Sequence, residues 1–334
     1  VANGLLGNTS IMKKEKVLIT GIGGQLGSYL ADYLLELGNI EVHGMMRRTS
    51  NPLESNIAHI KDKIVIHKGD MSDGSSIRHV IGNIEPDYIV NLAAMSQVRW
   101  SYDVPTMTMD VNCAGLLRII ESVRALKLDC KIYQSSSSEM FGKVLETPQN
   151  EKTPFYPRSP YGVSKAAAYY MARLYRESYG MKIYSGIFFN NESPRRGQEF
   201  LSRKVAMAAA AISLGLQDKL VLGNLEAKRD FGYSYEYARW IWAILQHPTP
   251  DDFVVSTGET HSVKEFVQEA FKYVGIENWE DYVDYDKDLT RPAEVDLLLG
   301  DSTKSKEILG FEPKVKFKEL VGIMVQNELD KLKK

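Results

Sequence analysis

Apolar positions fall into two alternating textures along the first half of the chain. Short, nearly continuous apolar runs at Lys16–Thr20, Glu41–Met46, Ile64–His67, Asp87–Asn91 and Lys131–Tyr133 predict strands. Between and after them, Leu26–Leu37, Gly74–Ile81, about Thr108–Ala125 and Tyr161–Tyr179 carry the wider spacing of amphipathic helices. Strands and helices that alternate in this way predict an α/β fold around a doubly wound parallel sheet, and uniformly apolar strands suit a sheet covered on both faces. Past about Asn190 the texture changes. Polar stretches at 190–198, 223–231 and 279–294 separate predicted helices near Arg203–Leu214, Val263–Val274 and Lys316–Lys331. The Phe253–Val255 run and a helix over Tyr235–Leu245 look like a return to the first body. The expected division is a large domain of residues 13–190 plus about 229–258, interleaved with a smaller C-terminal α+β domain of about 191–228 plus 259–334. Residues 1–11 precede Met12, share nothing with the periodic segments, and are expected to be a leader outside the fold.

The 334 residues are 44% hydrophobic and 25% charged with a net charge of −2, which is an ordinary globular balance without a footprint for nucleic acid. No apolar run approaches the roughly 18 residues of a membrane span. Two cysteines, Cys113 and Cys130, exclude a disulfide framework and point to the cytoplasm. The six histidines show no ligand spacing, so no metal is expected.

Candidate chemistry begins at the first predicted turn. Gly21-Ile-Gly-Gly24-Gln25-Leu26-Gly27 follows a strand and opens a helix, where glycines let the backbone approach a pyrophosphate at the helix N-terminus. Strand before, helix after and a second strand about twenty residues on predict a Rossmann-type dinucleotide site rather than a plain glycine-rich turn. The second strand ends in Arg47 and Arg48 instead of an acid. Adjacent guanidiniums suit the 2′-phosphate of NADP, with a solvated basic loop as the alternative. The third strand ends in Asp70-Met71 and the fourth in Leu92-Ala93-Ala94-Met95-Ser96. Asp70 could accept from the adenine amine or merely cap the next helix, and the small Ala93 and Ala94 leave room for a cofactor.

Tyr161 and Lys165 stand four apart at a predicted helix start and therefore on one face. An ammonium beside the phenol is expected to lower its pKa and make Tyr161 a base. Ser137, in the run Gln134-Ser-Ser-Ser-Ser-Glu139, offers a hydroxyl to the same substrate oxygen, although a strand-end serine run can be turn chemistry alone.

Taken together, these features resemble the extended short-chain dehydrogenase/reductase family from about residue 16 to the C-terminus. That resemblance implies hydride chemistry on a nucleotide sugar. Glu139 then separates dehydration from epimerisation or reduction, because a 4,6-dehydratase needs an acid/base at C5 and C6. Capping or a salt bridge is its structural alternative. Tyr133–Glu139, Thr153–Tyr161, Asn190-Asn-Glu-Ser-Pro-Arg-Arg-Gly197, Leu222–Asp230 and Arg291-Pro-Ala-Glu-Val295 resemble the GDP-mannose 4,6-dehydratases more closely. The resemblance implies NADP, tightly bound and regenerated in each turnover, with Gly21, Gly24, Gln25, Leu26, Gly27, Met71, Leu92, Ser96, Lys165, Asn191 and Arg196 among its contacts. It places the GDP-sugar against Ser96, Asn190, Glu192, Lys204, Arg229, Arg291 and Glu294, with forked donors at Arg229 and Arg291 for the phosphates and Glu294 for ribose hydroxyls. It also implies a homodimer or homotetramer. The chain departs from the pattern at Leu26 (usually Asp), Ser137 (Thr), Asn191 (His) and Phe231 (Trp). GDP-mannose is the expected substrate; GDP-manno-heptose, a GDP-sugar epimerase or reductase, and a non-catalytic cofactor sensor are the alternatives.

Overall fold

Seven parallel strands form the central sheet: Glu15–Thr20, Ile40–Met46, Val65–Lys68, Tyr88–Asn91, Lys131–Ser137, Ile183–Phe188 and Asp252–Val255. The computed structural model describes residues 14–48, 55–289 and 292–333; the expected leader and Arg291 lie outside them. Counted along the chain, the strands stand in spatial order third, second, first, fourth, fifth, sixth and seventh. The order reverses between the first and fourth strands, so a crevice opens there at their C-terminal ends.

One face of the sheet is covered by helices Gln25–Leu37 and Ser234–Gln246, which bury Tyr29, Leu30, Leu34, Tyr237 and Ile241 against Val17, Val42 and Val90. The other face carries Gly74–Ile84, Gly115–Ala125 and Pro160–Tyr179, whose Ile77, Val80, Leu116, Ile120 and Ala168 meet Leu18, Ile89 and Ile132. A third apolar core joins helices Leu201–Ser213, Val263–Tyr273 and Phe317–Leu332 through Val205, Ala209, Phe266, Phe271, Leu320 and Met324. Their ends carry local signals. Ser262 and Glu265 form a capping box before Val263, and Pro160–Tyr179 starts on the cap of Ser159 and stops at Gly180, whose φ of 64° is left-handed.

The structure corrects the pattern in three places. The strand Ile183–Phe188 was not expected, because Ser185 and Gly186 interrupt its apolar run, yet all six residues are buried. The fifth strand does not stop at Tyr133. It continues through the serines, where Ser135, Ser136 and Ser137 pair with Gly186, Ile187 and Phe188. The single helix expected over about 108–125 is broken into Pro105–Met109, a π turn at Asp110–Ala114 and Gly115–Ala125. The wide turn directs Asn112 inward, where its Oδ1 accepts from Met95 N at 2.8 Å and its Nδ2 donates to Met95 O at 3.2 Å.

Short pairings also run through the stretches read as polar loops. Asn190–Glu192 pairs with Phe231–Tyr233, and Lys228–Arg229 with His261–Ser262. Among the described residues no helix is long and apolar enough to cross a membrane.

Candidate active site

A cleft of about 1860 Å³ opens at the reversal of strand order and runs towards the third core. Of the residues singled out from the sequence, all that are described line it except Arg48, which is exposed elsewhere. Arg291 is outside the described residues.

The glycine turn forms one end. Gly21 has a φ of +68°, and a Cβ there would lie 3.0 Å from the backbone of Ala93. A Cβ on Gly27 would come within 2.5 Å of Gly21 O and 2.8 Å of Ile22 Cα. Only glycine permits this close packing of turn against helix. The helix begins at Gln25 on a Gly24 cap that makes no side-chain bond, with no acid in its first turn, so its positive end faces the cleft. This cradle fits a dinucleotide pyrophosphate.

The floor is set by a buried polar chain. Thr20 Oγ1 donates to Asn91 Oδ1 and accepts from Leu92 N and Ala93 N, while Asn91 Nδ2 donates to Gln134 Oε1. These bonds fix the turn that carries Ala93 and Ala94. Asp70 Oδ1 accepts from Ser72 N and Ser72 Oγ, which holds the Asp70 carboxyl below its usual range. Asp70 does not cap the next helix, since Asp73 takes that role from Ser75 N and Ser76 N. Arg47 lies exposed at the rim.

Tyr161 and Lys165 project from the first turns of Pro160–Tyr179, and both are buried in the cleft wall. Burial raises the Tyr161 phenol; the hydrogen bond from Ser137 lowers it, the Glu139 carboxylate raises it, and Arg196 lowers it. Lys165 Nζ donates to Ser135 O at 2.8 Å and lies 5.8 Å from the Tyr161 ring centroid. The expected lowering of Tyr161 by Lys165 is therefore not what this geometry produces. Lys165 is itself pushed down to about 8 by burial. The alternative of turn chemistry is present at Ser137, whose Oγ accepts from Glu139 N at 3.2 Å and starts the short turn Ser138–Met140.

That turn places Glu139, 7% exposed, in the same wall as Ser137 and Tyr161. Arg229 approaches it from the Lys228–Arg229 strand. Its Nη1 donates to Val295 O at 2.7 Å and Lys228 O at 2.9 Å, and its Nη2 lies 3.9 Å from Glu139 Oε1 and 3.8 Å from Glu294 Oε1. One terminal nitrogen of the Arg229 guanidinium thus donates to two carbonyls and the other faces two carboxylates. Asp230, next along, accepts from Thr257 N, Thr257 Oγ1 and Gly258 N and locks this strand in place.

The segment 190–204 closes the far side. Glu192 pairs with Arg196 Nε at 3.2 Å and bonds Ser202 Oγ. Asn191 Oδ1 accepts from Gln25 Nε2 and Ser234 Oγ, and Lys204 Nζ donates to Val221 O. The sequence did not single out Arg203, whose Nε pairs with Glu328 at 2.8 Å and whose Nη1 donates to Arg196 O at 2.9 Å. Asn327, Glu328 and Lys331 of the last helix also line the cleft, although no motif marked them.

The sequence pattern of the family described as GDP-mannose 4,6 dehydratase matches residues 18–324. GDP-mannose 4,6 dehydratase 1 of Arabidopsis thaliana is 48% identical, covering 99% of this chain and 94% of its own length. The GDP-mannose 4,6 dehydratase of Homo sapiens is 43% identical, with 95% and 92% covered. Among solved structures, the UDP-glucose 4-epimerase of Thermus thermophilus in complex with NAD superposes with a TM-score of 0.82 at 25% identity, covering 94% of this chain and 98% of that one. The chain belongs to the GDP-mannose 4,6-dehydratase family.

Proposed function

We propose that this enzyme converts GDP-mannose into GDP-4-keto-6-deoxymannose and water, with NADP held in the large domain (residues 13–190 plus about 229–258) and the GDP-sugar reaching it from the smaller one. The observation that carries this reading is Glu139, buried in one wall with Ser137 and Tyr161 and close enough for its charge to act on the phenol. Tyr161 Oη takes the proton of the C4 hydroxyl while Ser137 Oγ holds the same oxygen, and Lys165 Nζ anchors the end of the strand that carries Ser137 by donating to Ser135 O. A nicotinamide dinucleotide held at Gly21, Gly24, Gly27, Ala93 and Arg47 would supply a two-electron acceptor and donor, so that oxidation at C4 and reduction at C6 balance. Glu139 removes the C5 proton, which the C4 ketone has acidified, and passes a proton to the departing C6 hydroxyl, which leaves as water. Arg229 keeps the Glu139 carboxylate paired within the wall before substrate arrives. Incubation with GDP-mannose and, separately, GDP-manno-heptose identifies the sugar: a product lighter by one water from GDP-mannose is expected, and exclusive reaction of the heptose would overturn that choice.

NADP is favoured over NAD because Arg47 stands exposed at the rim of the cleft, one residue past the second strand. Arg47→Asp is expected to weaken NADP binding by about tenfold and leave NAD binding little changed. Equal affinity of the unaltered enzyme for both in a fluorescence titration would remove this assignment.

A homodimer or homotetramer belongs to the same reading. Met107, Val163, Tyr170 and Leu174 are exposed on Pro105–Met109 and Pro160–Tyr179, giving these helices an apolar surface besides the one facing the sheet. Light scattering at micromolar concentration is expected to give at least twice the chain mass, and Tyr170→Glu to halve it. A monomer before substitution contradicts the interface. The cytoplasm is the proposed compartment, consistent with Cys113 and Cys130 as buried free thiols.

A further inference from the structure

Two adjacent arginines of the segment 190–197 point in different directions. Arg196 turns into the cleft, pairs with Glu192 and lies 3.9 Å from the Phe200 ring centroid. Arg195 crosses to the first helix. Its Nη2 lies 2.8 Å from Asp32 Oδ2, its Nη1 donates to Ser28 Oγ at 3.2 Å, and its guanidinium carbon sits 4.0 Å from the Tyr29 ring centroid. Asp32 is held from its other side by His59 at 2.7 Å. The side chains of Arg195 and Asp32 are only 21% and 17% exposed, so water screens the pair weakly.

The same segment is stitched to the glycine turn at further points. Ser193 Oγ donates to Gln25 Oε1 at 2.7 Å, and Gln25 Nε2 donates to Asn191 O at 3.0 Å. Asn56 Nδ2 is shared between Gly23 O at 3.1 Å and Arg195 O at 3.3 Å. Gly23, Gly24, Pro194 and Arg195 all line the cleft. We propose that Arg195 is a positioning residue that straps the segment 190–197 against the glycine turn and thereby slows release of a nicotinamide dinucleotide held there.

This rests on the reading above that the dinucleotide binds at Gly21–Gly27. A redox-neutral reaction has no need to exchange its cofactor between turnovers, so slow release does not limit the rate. Opening the segment requires the Arg195–Asp32 pair and the stacking on Tyr29 to break. Truncating one partner of a largely buried charge pair acts mainly on the dissociation rate.

The test loads the unaltered enzyme, Arg195→Met and Asp32→Asn with NADPH, then chases with excess NADP and follows the loss of NADPH fluorescence. Thermal unfolding of the ligand-free proteins is measured in parallel. Arg195→Met is expected to release NADPH at least about tenfold faster and Asp32→Asn about threefold faster, with association rates changing less than dissociation. Arg195→Lys, which keeps the charge opposite Asp32, is expected to recover part of the loss. Release at the unaltered rate in both Arg195→Met and Asp32→Asn, with or without a lowered Tm, overturns the strap. Should Arg195→Met fail to fold, Asp32→Asn still decides, since it leaves the guanidinium over Tyr29. Failure of the unaltered enzyme to bind NADPH at all would instead overturn the cofactor reading.

Discussion

Glu139→Gln is expected to leave oxidation at C4 intact and to cut formation of the 6-deoxy product by about 10²–10³-fold. Gln fills the same buried volume and keeps the backbone bond from Glu139 N to Ser137 Oγ, so the turn Ser138–Met140 has no reason to unfold. It has no carboxylate to take the C5 proton or to protonate the departing hydroxyl. The variant should bind GDP-mannose and accumulate reduced nicotinamide, seen as absorbance that rises and stays. Arg229 Nη2 would then face one fewer carboxylate, with Glu294 still 3.8 Å away. Release of 6-deoxy product at a near-native rate would make Glu139 structural and remove the main mechanistic support for dehydration.

Tyr161→Phe should fail one step earlier. Its phenol is the group that takes the C4 hydroxyl proton, so the expected result is a loss of about 10³-fold with no reduced nicotinamide formed. The phenol is raised by burial and lowered by Ser137, so Ser137→Ala should slow the same step more mildly. Lys165, held near 8, sheds its charge as the pH climbs through that value, and its bond to Ser135 O, which anchors the strand end carrying Ser137, then loses its charge assistance. Formation of reduced nicotinamide in a single turnover is accordingly expected to decline above about pH 8. A rate that is flat or still rising well above pH 8 would show that the charge on Lys165 is not needed.

How far the chain could be read without coordinates depended on whether a signal was local. The glycine turn, the Tyr161–Lys165 spacing and the Ser137–Glu139 pair each sit within a few residues, and strand-then-helix periodicity placed them at the ends of a parallel sheet. The Ile183–Phe188 strand escaped because Ser185 and Gly186 broke its apolar run; its burial comes from neighbours on both sides, which periodicity does not reveal. The π turn at Asp110–Ala114 escaped for a related reason, since Asn112 is called inward by the backbone of Met95, a contact across seventeen residues. The same holds for the cleft. Glu328 meets Arg203 from the last helix, a partnership that spacing cannot encode, and nothing in the stretch around Arg229 announces its approach to Glu139 ninety residues earlier. Arg195 shares a motif with Arg196, yet only the fold sends one to Asp32 of the first helix and the other to Glu192.

The most direct measurement uses GDP-mannose carrying deuterium at C4, with the product analysed by mass spectrometry and NMR. If the enzyme oxidises C4, eliminates across C5 and C6 and returns the same hydride, the product is one water lighter and keeps the deuterium at C6. A product that has lost water but not retained the label would contradict internal return of the hydride, and a substrate recovered with its water intact would contradict dehydration itself.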